Sequence, residues 1–385
     1  TFSNTFVVIN ISGNANQYLS FSAYGNGPKP ILQHDSRDIF TVDDKDFVLI
    51  DNLHLKVRGN GETGVYIMGS SKYTIVSNCR IEGIGSPHHG INYGKNDGNN
   101  KTVVSPFLLN NFITGFRWNI RSSGFPYNGT HEVKGGLIEN NICADNRATS
   151  DGDGISAQRG KYFGLIIRKN EIYGYYDDGI DLFSADNVIA EYNTVHSPLQ
   201  PATSGQGIKA GGLTRADIIK GHQSTNITIR YNTVYNLYNR VNSDGSHNGI
   251  QTNSGASGKV YGNLVYDVKG HGIVVSGPIQ EWEVYNNTVV NAGDAGIRVW
   301  TDGSQDYNVK IYNNILHGNK GDIVVSTNST KKNVDGKNNI LLSGKASGNY
   351  SASGDKFANM NEVFENHQND DYTIKESFKK QSSFD

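Results

Sequence analysis

The stretch Tyr176-Asp177-Asp178-Gly179-Ile180-Asp181-Leu182-Phe183 sets three carboxylates within five residues of a chain rich in Gly and Asn. The same phrase precedes it as Asp151-Gly152-Asp153-Gly154-Ile155-Ser156 and follows it as Gly205-Gln206-Gly207-Ile208-Lys209-Ala210. Gly and then an apolar residue recur at Val65, Ile91, Ile250, Ile273 and Ile297, and Asp322-Ile323 continues the series without the Gly. A phrase that keeps returning marks stacked units, none of which can bury its apolar face alone.

Between these phrases runs a second one, Asn with an apolar residue two positions on. It falls at Asn111, Asn141, Asn170, Asn193, Asn232, Asn263, Asn287, Asn314 and Asn339, in steps of 23 to 39 residues. Each unit supplies short alternating strands, such as Asn226-Ile227-Thr228-Ile229-Arg230 and Lys259-Val260-Tyr261, separated by Gly, Asn and Asp turns. No amphipathic helix lies between them, which excludes a βαβ sheet. The pattern predicts an all-β, single-stranded, right-handed parallel β-helix of about ten coils, with loop insertions on one face.

Asn tolerates the left-handed turn conformation, and stacked Asn side chains can bond from coil to coil, so this series is expected to be structural. Cys79 takes the same position in the first clear coil. Ile113, Ile172, Val195, Val234 and Val289 are expected to line the interior. The long steps place insertions at Ser197 to Ser204, at Gly211 to Ser224, and between Ile91 and Asn111, where loops can wall a groove. We expect one domain, its β-helix over 1–342 and a capping segment over 343–385 that includes Asp371-Tyr372-Thr373-Ile374.

Composition narrows the classes of function. The chain has 385 residues, 19% charged and 36% hydrophobic, with 45 Gly and 8 Pro, which suits a folded, turn-rich β protein. A net charge of −2 gives no global field to gather nucleic acid or acidic membranes. There is no apolar run of about 18 residues to span a bilayer. The chain opens at Thr1 inside a β pattern without an initiator Met, as expected of a secreted protein whose leader is gone, or of a trimmed chain. Cys79 and Cys143 fall two coils apart, roughly 10 Å, beyond disulfide reach, and are expected to be buried thiols.

Aligning the Gly-Ile pairs sets Asp153 beside Asp178 and Asp181 beside Lys209, each pair about 4.8 Å apart if the coils stack. Asp153, Asp177, Asp178 and Asp181 are hard oxygen ligands suited to Ca²⁺, whereas zinc has no Cys or His set to bind it. An Asp-Gly pair alone is ordinary turn chemistry; four aligned acids are more than turns require. Lys209 then reads either as a counter-ion or as a base. Asp181 favours its charged form, and a nearby cation would favour the neutral amine.

Asp153, Asp177-Asp178-Gly179-Ile180-Asp181 and Gly207-Ile208-Lys209-Ala210-Gly211-Gly212, carried on β-helix coils, resemble the family-nine polysaccharide lyases, whose best-known members are pectate lyases. The resemblance implies Ca²⁺ held by the four aspartates, Lys209 as the catalytic base, and β-elimination on an acidic, uronate-containing polysaccharide. It also implies a secreted enzyme, and we expect a monomer. Arg215, His247, Asn248, Gln251 and Arg298 are candidate substrate contacts. Between Gly205 and Arg240 five basic residues face one acid, Asp217, so a polyanion could lie along that side. Two other readings stand beside this one. One is a polygalacturonase-like hydrolase using Asp177-Asp178 and Gly270-His271-Gly272, although His271 lies three steps on, roughly 14 Å away. The other is a non-catalytic carbohydrate-binding solenoid of tailspike or adhesin type.

Overall fold

The Gly-Ile phrase has a steric cause. In the computed structural model, a Cβ on Gly179 would strike Val195 Cγ1 and come within 2.6 Å of the Gly207 carbonyl oxygen; one on Gly207 would strike Val234 and approach the Gly249 carbonyl oxygen to 2.6 Å. At these positions the absence of a Cβ lets the strand that follows press against a β-branched residue of the adjacent sheet. The structure describes the chain apart from residues 96–100, 124–131, 148–150, 159–160, 184, 200–204, 213–223, 239–246, 254–255, 278–280, 302–306, 328–331, 349 and 383–385.

The strands form a right-handed parallel β-helix. Successive coils send their strands to three long parallel sheets, of 14, 13 and 13 strands among the described residues. The solenoid therefore runs further at both ends than the recurring phrases mark. One 13-stranded sheet, from Val7–Val8 to Ala346–Gly348, carries the Gly-Ile phrase. Ile155, Ile180, Ile208, Ile250, Ile273, Ile297 and Ile323 stack in register there, all fully buried. Their neighbours in sequence point outward, so one face of this sheet is a file of side chains presented to solvent.

The Asn series forms a continuous internal ladder. Asn193, for example, donates from both its backbone N and its Nδ2 to Asn232 Oδ1, each at 2.9 Å, and its Nδ2 also bonds the Ile167 carbonyl at 3.0 Å. Cys79 starts the ladder, donating its backbone N to Asn111, and Asp355 ends it by accepting from Asn339. The left-handed residue is not the ladder Asn, as its type suggested, but the residue before it: Asn110, Asn140, Lys169, Tyr192, Tyr231, Asn286, Asn313 and Asn338 all have φ between 53° and 56°. The ladder side chain must turn inward to reach the next coil, so its predecessor makes the bend. Lys169, Tyr192 and Tyr231 adopt it at a cost of about 1–2 kcal/mol each.

Cys79 and Cys143 are both buried and unpaired. Burial pushes the Cys79 thiol up to about 12 and Cys143 higher still, so neither is a nucleophile at neutral pH. Strands Ala346–Gly348, Ser351–Ser353 and Lys356–Phe357 add a further coil. Beyond it, Val363, Phe364 and Tyr372 pack on Leu264, Tyr266, Val290, Ile315 and Ile340, on the outside of the 14-stranded sheet. Among the described residues no helix is long and apolar enough to cross a membrane.

Candidate functional site

Asp153, Asp178, Gln206, Asn248 and His271 occupy the same turn position in successive coils, two residues ahead of the stacked isoleucines. They form a second polar ladder, which the sequence did not announce because its residue type changes at each step. Asp153 Oδ1 accepts from Asp178 N (3.3 Å), Asp178 Oδ1 from Gln206 N (2.7 Å), Gln206 Oε1 from Asn248 N (2.8 Å), and Asn248 Oδ1 from His271 N (2.8 Å). Finally His271 Nδ1 accepts from Ala295 N (3.0 Å). Glutamine, asparagine and histidine all serve this purpose, so holding the turn does not require the carboxylates at 153 and 178.

The outward file beside this ladder reads Arg121, Ser156, Asp181, Lys209, Gln251, Val274, Arg298, each paired with the next. Asp181 and Lys209 are thus neighbours, as alignment of the Gly-Ile pairs predicts. Carboxylate oxygens of Asp153, Asp178 and Asp181 all lie within 4.8 Å of one another, and all three residues are buried. Asp177, half-buried in the turn, is outside that group, although its charge acts on both Asp153 and Lys209.

Residues that the sequence did not single out fix the cluster. Ser156 Oγ donates to Asp153 Oδ2 at 2.5 Å, and Gln158 Nε2 donates to Asp153 Oδ2 at 3.0 Å and to Asp181 Oδ2 at 2.5 Å. Asp181 Oδ1 is buried without a hydrogen-bond partner. Burial, and then the charges of Asp181, Asp178 and Asp177, push Asp153 well above the usual carboxylate range. Asp181 is pushed up to about 6 by burial, with the Lys209 charge opposing. A desolvated group of acids with an orphan oxygen fits a hard divalent cation such as Ca²⁺, which would restore the missing positive charge.

Lys209 does not pair with its strand neighbour Asp181, as first expected. Its long side chain reaches back to Asp178, Nζ donating to Oδ2 at 2.8 Å, and lies 5.6 Å from the Phe183 ring. Burial acts to lower its pKa, but Asp178 and Asp181 outweigh that and push it up, so without a cation the amine is protonated. Its side chain is 20% exposed against 1% for Asp178, so part of it meets solvent where the acids do not.

The remaining candidates scatter. Gln251 follows Lys209 in the file, held by Asn248 Nδ2 at 2.7 Å, and Arg298 lies two steps further on. His247 and Asn248 are 1% and 5% exposed, and Asn248 is committed to the turn, so neither side chain faces solvent as a sugar contact would. Arg215 lies outside the described residues, as do Lys220, Arg240, Asp217 and most of the insertions expected to wall the groove. Arg230 is on the other 13-stranded sheet, bound to Glu191 and Tyr261, and adds nothing to a basic side of the groove. His271 is a turn acceptor three steps from Asp178. Burial, with Arg298 and Lys320, lowers it to about 4 against the pull of Asp294.

Next to the acids on the N-terminal side lies a group that the sequence reading missed. Trp118 precedes Asp153 at the turn position, stacked on His89 with ring centroids 5.4 Å apart, with His88 edge-on at 6.1 Å. The guanidinium carbons of Arg121 and Arg117 lie 3.8 Å and 4.2 Å from the Trp118 ring centroid, and Arg117 also pairs with the exposed Asp151 at 2.7 Å.

No protein family matches the sequence, and no curated protein matches it. Similar solved structures exist. A GH136 lacto-N-biosidase from Eubacterium ramulus superposes with a TM-score of 0.54 at 15% identity over 93% of this chain and 60% of the other. A mannuronic acid specific polysaccharide family 6 lyase from human gut microbiota gives 0.52 at 11% identity, over 96% and 85%. The tailspike protein of Pseudomonas phage LKA1 gives 0.52 at 13%, over 79% and 50%. The chain thus spans less than two thirds of the lacto-N-biosidase chain and half of the tailspike chain. At these identities the likeness establishes the β-helix fold.

Proposed function

We propose that this protein is a calcium-dependent polysaccharide lyase of the family-nine type, cleaving a uronate-containing polymer by β-elimination. One observation carries the reading: the amine of Lys209, whose side chain is partly exposed, lies 2.8 Å from a buried group of carboxylates, where the turn ladder needs only hydrogen-bond acceptors. Asp153, Asp178 and Asp181, with Asp177 beside them, would hold the cation. When bound, it supplies positive charge beside the C6 carboxylate of the sugar, where enolate-like charge develops. Lys209, neutral once the field of the carboxylates is offset, takes the C5 proton. The C5–H electron pair becomes the C4–C5 double bond, and the glycosidic oxygen leaves C4 with its bonding pair and takes a proton from solvent, to which Lys209 returns the one it removed. No water is consumed, and no second carboxylate acts as an acid.

The fold likeness to proteins named as a polysaccharide lyase, a lacto-N-biosidase and a tailspike supports a carbohydrate ligand and a place outside the cell, where such polymers occur. A second reading, a non-catalytic solenoid that binds an acidic polysaccharide, draws on the turn-holding role of Asp153 and Asp178. Incubating polygalacturonate, polymannuronate and glycosaminoglycans with the protein separates the two. A lyase yields ultraviolet-absorbing unsaturated ends with calcium and none with chelator; a binder yields none in either condition, and that result would overturn the proposal.

A further inference from the structure

The outward file extends past the acids on both sides. From Lys209 it runs through Gln251 and Val274 to Arg298, and in the other direction through Asp181 and Ser156 to Arg121. Each arginine is three strand spacings from the lysine, roughly 14 Å. Arg121 is half-buried, its guanidinium fixed over the Trp118 ring at 3.8 Å. Arg117, His88 and His89 surround the same indole, so positive and aromatic groups dominate this end of the file. His88 is lowered by burial and then by the charges of Arg117 and Arg121, against the pull of Glu62.

Stacking on an indole orients a guanidinium and spares it much of the entropy lost on pairing with a carboxylate. Trp118 is only 7% exposed, so its ring serves as a backing for Arg121 and not as a platform for sugar. We propose that Arg121 on Trp118 is a carboxylate-binding subsite that receives the N-terminal-side arm of an acidic polymer laid along the solenoid axis. Its register with Lys209 selects chains long enough to span the distance between them. The proposal rests on the reading of the groove as a site for acidic polysaccharide and adds its direction and minimum reach.

The test uses Lys209→Ala protein with calcium, so that ligand is not turned over, and calorimetry with galacturonate and mannuronate disaccharides and octasaccharides. Adding Arg121→Gln is expected to weaken binding of the better octasaccharide about tenfold, the loss of one charge-assisted contact, and to leave disaccharide binding unchanged. Arg121→Lys, which keeps the charge but not the planar fork, is expected to fall between. Thermal melts check that each variant is folded. Equal octasaccharide affinity in the parent and Arg121→Gln proteins overturns the subsite, as does an equal loss for both lengths. If the parent binds neither octasaccharide, the subsite and the polysaccharide reading fall together. Length-dependent binding that needs Arg121, in a protein with Lys209 restored that produces no unsaturated ends, upholds the subsite and removes the eliminative chemistry alone.

Discussion

Lys209 and Asp181 adjoin in the stack, yet they respond to the buried charge in different ways. The lysine is pushed up by the carboxylates around it, while Asp181 is pushed up to about 6 because it lies buried among its own kind. The usual value for Asp181 is 3.8. Between the two values the folded chain holds a proton that the unfolded chain has released. That stabilisation is complete below about pH 4 and is lost as pH rises through about 6. In chelator, Asp181→Asn is therefore expected to match the parent near pH 4 and to exceed its stability by on the order of 3 kcal/mol at neutral pH, measured by denaturant unfolding. A gap that does not change with pH would contradict this. Calcium is expected to raise the melting temperature of the parent and not of Asp181→Asn, since a ligand stabilises only the form it binds.

At the scale of the element, the Asn ladder and the Gly-Ile phrase do different work. Asn193→Ala removes the acceptor for two buried donors of Asn170 and is expected to cost about 3 kcal/mol, read from denaturant midpoints. Gly179→Ala drives a methyl into Val195 and is expected to cost roughly 1–3 kcal/mol. His271, lowered to about 4, stays neutral when folded while the unfolded chain takes up a proton near pH 6.5, so its contribution is lost as pH falls between those values. His271→Asn keeps an acceptor in the turn, as Asn248 does one coil earlier, and is expected to remove that acid sensitivity. Both repeated phrases were legible because one residue type recurs at one place. The turn ladder was not, since five residues hold it with Asp, Gln, Asn and His side chains that share only an acceptor atom. The Trp118 coil escaped notice for a related reason: Asn119 stands where its neighbours have Gly, bonding the Ala144 carbonyl at 3.0 Å, and the phrase is broken there.

Across the whole molecule, stacking in register turns a one-dimensional sequence into a file of outward side chains, and this is why aligning Gly-Ile pairs brought Asp153, Asp178, Asp181 and Lys209 together. Alignment gives neighbours but not the reach of a side chain. It therefore placed Lys209 against Asp181, when its four-carbon stem carries the ammonium to Asp178. The C-terminal segment is a separate matter, since it covers an apolar stripe on a different sheet. Removing residues 359–385 uncovers Leu264, Tyr266, Val290, Ile315 and Ile340 and is expected to cause aggregation, followed by light scattering, with the acids left intact. If the amine and the acids act as one eliminative centre, ultraviolet absorbance from polyuronates must depend on Lys209 when parent and Lys209→Ala proteins, both saturated with calcium and both folded, are compared. Unsaturated product is expected from the parent, with a rate lower by about 10²–10⁴ in the variant; equal rates in the two would rule out a shared centre.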